Sequence, residues 1–124
     1  MKYSQEEKMK IYNAIDQIKA YIATIQPQIR KNITIDFGPM EQYQYERERK
    51  YHLYIYPDGL SGRIGGLGIE FDKDAESASV ITTAYRELEY AVALMQNWKN
   101  IKSQILNAIA EQNATIAAIN NFEI

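Results

Sequence analysis

The sequence predicts an α+β protein. Its parts are an N-terminal amphipathic helix, a small antiparallel β-meander of about three strands, and a long C-terminal helix that mediates oligomerisation. Three observations predict this. Ile11, Ile15, Ile18, Ile22, Ile25 and Ile29 recur at alternating steps of four and three, the seam of a helix that packs lengthwise. Apolar and polar residues alternate with period two in the middle of the chain, as in half-buried strands. The stretch 77–120 holds neither Gly nor Pro, the strongest helix punctuators, so a helix can run through it.

The first helix is expected over about 4–26. Ser4 and Glu7 have the S-x-x-E spacing of a capping box, in which each side chain serves a free N–H at the helix start. Pro27 disfavours helix at Gln26 and ends or kinks the helix there. The meander is expected over about 32–71. Ile33, Ile35 and Phe37 alternate with polar residues, and Gly38 and Pro39 then break the strand. The segment 40–50 reads as a strand or as a helix, and an extended form is preferred. The run YHLYIY at 51–56 is the clearest strand, with Tyr51, Leu53 and Ile55 on one face and His52, Tyr54 and Tyr56 on the other. Pro57, Asp58 and Gly59 signal a turn, and one return strand follows at about 63–71.

Asp72, Asp74 and Glu76 bring negative charge to the start of the last helix, favourable against its dipole, and Asp72, Asp74 or Ser77 can cap it. As one rod, about 44 residues at 1.5 Å each span ~65 Å. A domain of this length is only ~35 Å across. The rod would overshoot its own body and need a partner to cover it. The alternative is a break near 97–100, with two helices folded back on one another. Beyond Lys102 the only charge before Glu123 is Glu111, and the same half is rich in Ala. Such a helix suits close packing better than exposure. Trp98, Ile101, Ile105, Ile109 and Ile116 are therefore the candidate oligomer interface.

No linker or repeat divides the chain, so one domain over 1–124 is expected. Hydrophobic residues are 46% and charged residues 24%, a globular balance that argues against disorder. A net charge of −2 gives no whole-chain pull toward double-stranded nucleic acid or an anionic membrane. With no Cys, disulfides, thiol nucleophiles and Cys-ligated zinc are excluded. The charged N-terminus lacks an apolar signal core, and the longest wholly apolar run, 91–95, is too short to span a bilayer. A cytoplasmic protein without membrane partners is expected.

His52 is the one histidine, and no nucleophile-elbow or metal-ligand pattern accompanies it, so no enzyme, metal or cofactor is expected. Gly62, Gly65, Gly66 and Gly68 crowd a stretch of seven residues. It lacks the strand-to-helix setting of a dinucleotide fingerprint and the ending of a Walker loop. It reads as a hairpin with a bulge, or as exposed backbone able to cradle phosphate. Tyr54, Tyr56, Arg47, Arg49 and Arg63 add aromatic faces and guanidinium groups to the same small sheet. With Gly65 and Gly66 they form the candidate ligand site.

The function expected is a non-catalytic binding protein that partners itself as a homodimer or higher oligomer and meets a protein partner or a ligand through the meander. The alternative is a receptor or sponge for a small nucleotide near a subunit junction, with single-stranded nucleic-acid binding a lesser one. In outline, a small helix–meander–long-helix oligomer is similar to phage counter-defence proteins that inhibit by binding. That likeness is one of size and shape; it implies a role as an inhibitor of a nuclease or a trap for a nucleotide messenger.

Overall fold

A computed structural model describes residues 3–38, 51–64, 67–71 and 85–124. The order is α1 (Gln5–Ile25), a 3-10 turn (Gln26–Gln28), β1 (Ile33–Phe37), β2 (Tyr51–Tyr56), β3 (Gly59–Ile64), β4 (Leu67–Phe71), α2 (Tyr85–Gln96) and α3 (Trp98–Asn120). The fold is α+β. The segment 40–50, Gly65, Gly66 and the acidic run with its candidate caps at 72–77 lie outside the described residues, as does the first part of the predicted long helix at 77–84.

The predicted capping box starts α1. Ser4 Oγ accepts from the Glu7 N–H at 3.1 Å, and the Glu7 carboxylate accepts from the Ser4 N–H at 2.8 Å. The second bond holds the Glu7 carboxyl below its ordinary range. The seam Ile11, Ile15, Ile18, Ile22 and Ile25 is buried along its whole length. At the helix end Gln26 is buried, and its side-chain amide donates to the carbonyls of Tyr56 and Gly59 at 2.8 and 2.9 Å. The helix is thus pinned to the β2–β3 hairpin.

The four strands form an antiparallel meander in the order β1–β2–β3–β4. Where the sequence suggests one return strand over 63–71, the chain makes two, and the meander has four strands. The register shows it: Leu60, Gly62 and Ile64 lie opposite Phe71, Ile69 and Leu67, so Gly62 and Gly68 sit within two paired strands. One face is apolar throughout, with Ile33, Ile35, Phe37, Tyr51, Leu53, Ile55, Leu60, Ile64 and Phe71 all buried. Gly38, at φ +70°, takes the chain out of β1 in a conformation that only Gly adopts freely.

The α2 helix crosses this face at β3. Tyr90 lies over Gly62 and donates to the His52 carbonyl at 2.7 Å. Phe37, Tyr51 and Phe71 surround it at ring separations of 5.6 to 6.0 Å. The buried carboxylate of Glu89 accepts from the Tyr51 hydroxyl at 3.0 Å.

The predicted long helix is interrupted at Asn97, whose φ and ψ of −105° and 6° leave helical geometry. The Asn97 side chain donates to the Ala93 carbonyl, the kind of local bond that makes Asn a poor helix-interior residue. Main-chain bonds from Asn97 N–H to Ala93 and from Ile101 N–H to Asn97 continue on either side. One non-helical residue bends a helix, whereas reversal takes a loop of about two to five residues. After the bend, α3 runs along β1, with Ile101, Ile105 and Ile109 buried.

Two outcomes follow. A Cβ at Gly62 would overlap the Tyr90 hydroxyl and ring, so Gly62→Ala is expected to cost ~1–3 kcal/mol. In urea the midpoint should fall with an unchanged slope. Burial pushes the Tyr90 hydroxyl's pKa well above its ordinary value. A raised folded value means the contribution is complete below the unfolded tyrosine range and is lost as pH rises past it. Tyr90→Phe should therefore cost ~1 kcal/mol at neutral pH, and the gap to the parent should narrow above pH ~10.

Candidate functional site

The described helices pack with the buried face of the sheet, and side chains at alternate strand positions form the other face. Cross-strand register sets them in rows. The first row runs Asp36, His52, Arg63 and Gly68 across the four strands. In the second, Thr34, Tyr54, Ser61 and Glu70 are paired in turn, and Tyr56 pairs with Gly59 in the third. Asp36 and Arg63 are exposed; His52, Tyr54 and Tyr56 are half-buried.

The first row is charged and bonded. His52 Nδ1 lies 2.6 Å from Asp36 Oδ1, tying β2 to β1 on the outer face. The His52 ring stacks on Tyr54 at 5.9 Å and 30°. From β3 the Arg63 guanidinium stands 5.7 Å from the Tyr54 ring centre. Tyr54 is therefore flanked by an imidazole and a cation. Among the described residues Arg63 makes no ion pair, so its donors remain for solvent or a ligand. Gly68 beside it leaves open space above β4.

This arrangement suits attraction of an anion to Arg63 and stacking of a flat group on tyrosine. Among the described residues no hydroxyl bonds the His52 ring; the Tyr90 hydroxyl reaches only its main-chain carbonyl. No group of three His, Cys, Asp or Glu among the described residues could hold a metal ion. No described helix is long and apolar enough to cross a membrane.

Of the candidate ligand residues, Arg63, Tyr54 and Tyr56 share the open face. Arg47, Arg49, Gly65 and Gly66 lie outside the described residues. Of the candidate interface residues, Ile101, Ile105 and Ile109 are buried in the chain's own core beside β1. They are covered within the chain itself. Trp98 is half-buried, edge-on to Tyr21 at 5.5 Å, and Ile116 is half-buried. Asp36 joins the site without having been foreseen, because only strand register brings it to His52.

Comparison of the chain with known protein families, characterised proteins and solved structures finds no match.

Arg63 and Tyr54 stand away from the core. A double-mutant cycle of Arg63→Ala and Tyr54→Ala, followed by urea unfolding, should give a coupling of ~0.5–1 kcal/mol.

Proposed function

We propose that the chain is a non-catalytic binding protein that works as a homodimer or higher homo-oligomer. One observation carries the reading: the end of α3 has little of its own chain to cover it. Ile109 is its last buried residue. Beyond it Ile119 and Phe122 are 69% and 78% exposed, and Ile124 is fully exposed. The eleven residues from 110 to the end of α3 extend ~16 Å at 1.5 Å per residue, with Glu111 their only charge. A helix left in solvent carries Lys and Glu on its outer face. This one carries Ala, Asn and Ile, which favour contact with a second copy. The open sheet face then meets the partner or ligand. Action as an inhibitor is the role suggested by the likeness in outline to small phage counter-defence proteins.

Light scattering coupled to size-exclusion chromatography tests the assembly. The parent should run as an oligomer at micromolar concentration, and the double variant Ile119→Asp, Phe122→Asp as a folded monomer. A monodisperse monomeric parent sinks the reading.

A second reading is favoured by the Arg63–Tyr54 contact: a nucleotide, its phosphate at Arg63 and its base on Tyr54 or Tyr56, near a subunit junction. Mono-, di- and cyclic nucleotides should then raise the melting temperature. Ligand at a hundred times its Kd adds ~2.7 kcal/mol, a shift of several degrees, and Arg63→Gln should reduce it. No shift with any nucleotide at millimolar concentration removes this reading.

A further inference from the structure

We propose that the cleft between the outer edge of β1 and α3 takes an extended peptide segment of a partner protein, added to the sheet as a fifth strand. The inference goes beyond both readings above and needs neither. Among the described residues β1 pairs only with β2, so it is an edge strand. An edge strand presents a row of unpaired N–H and C=O groups, for which another extended chain is the natural complement.

This edge opens into a cleft of about 590 Å³. Ile33, Thr34 and Ile35 line it on one side. Successive strand residues point to opposite faces, so three in a row meet the cleft at the edge and not on a face. Gln104, Asn107 and Glu111 of α3 line the other side. Their spacing of three and four sets them in one stripe of hydrogen-bonding side chains. These can serve the far edge of an inserted strand.

Gln112 shows how the same side of the chain is satisfied just before β1 begins. Its side-chain oxygen accepts from the N–H groups of Arg30 and Lys31 at 3.0 and 3.2 Å, and its amide donates to the Lys31 carbonyl at 2.8 Å. A primary amide there does what a neighbouring strand would do. Arg30 and Lys31 line that end of the cleft, against the single acid Glu111. The charge balance selects a segment with an acidic residue at one end. Strand rise of ~3.3 Å per residue means that four or five residues cover β1.

The test uses full-length protein and an array of seven-residue peptides of alternating Val and Thr with a terminal Asp. Each peptide is also made with every second backbone nitrogen methylated, in both registers. Binding in the micromolar range is expected, with at least tenfold loss for one methylated register. Neighbouring N–H groups of a strand point to opposite edges, so hydrogen exchange should slow on binding at one of the Thr34 and Ile35 amides, the one that faces away from β2. Asn107→Arg, which fills the cleft from the exposed side of α3, should weaken binding at least tenfold and leave the melting temperature in place; Glu111→Arg is the second such variant. No binding at millimolar peptide overturns the proposal, as does equal binding of both methylated registers or protection at His52 and Tyr54 instead. Protection of that outward amide that grows with protein concentration alone makes the occupant a second copy and also overturns it.

Discussion

Tyr90 seated over Gly62 fixes where the helices can lie. The ring fills the space that a side chain at 62 would take, and its hydroxyl is held by the carbonyl of His52. Around it Phe37, Tyr51 and Phe71 form a wall of rings, and aromatic pairs at such separations are worth ~0.5–1.5 kcal/mol beyond their buried area. That seat determines where α2 crosses the sheet. The bend at Asn97 then directs α3 along β1. The cleft at the strand edge and the uncovered helix end are both consequences of this path. His52 also joins the two faces: its carbonyl serves the core, and its ring pairs with Asp36 outside.

Elements specified by neighbours in sequence were legible before the structure. The box of Ser4 and Glu7, the isoleucine seam of α1, and the alternation in β1 and β2 need only local periodicity and capping. What was not legible depends on register or on distant partners. The split of 63–71 into two strands follows from which residues oppose one another. At the interruption the Asn97 side chain and main-chain N–H both donate to the Ala93 carbonyl, a local arrangement that a run free of Gly and Pro does not signal. In the candidate site, period two already set His52, Tyr54 and Tyr56 on one face. Arg63 joined them by composition, whereas Asp36 needed the β1–β2 pairing. Gln112 and Gln26 are single amides whose role exists only once remote backbone arrives.

The chemistry of the open face follows from the one-sided cover. A sheet that buries one side must solvate the other, and tyrosine tolerates that boundary because its ring is apolar and its hydroxyl wet. His52, Tyr54 and Arg63 stack on one another and so shield part of their carbon surface. The result is a face that is aromatic yet soluble. Asp36 is engaged by His52, and Arg63 stands exposed beside the glycine of β4.

The end of α3 is harder to account for in one copy alone. A helix terminus is steadied by cations near its last carbonyls and by ion pairs along its side. Here the last turn holds no basic residue, and no ionisable residue occurs from 112 to 122. Asn121 donates its main-chain N–H to Ala117, and its own geometry is neither helical nor left-handed. What remains is the high helix propensity of Ala110, Ala114, Ala117 and Ala118, set against Asn113 and Asn120, which weaken it. Propensity alone seldom holds a short helix in water; packing of one face does. Within this chain that packing thins out at Ile116. The remaining turns leave Ile119 and Phe122 exposed, and the proposed second copy would supply the cover that their own sheet does not.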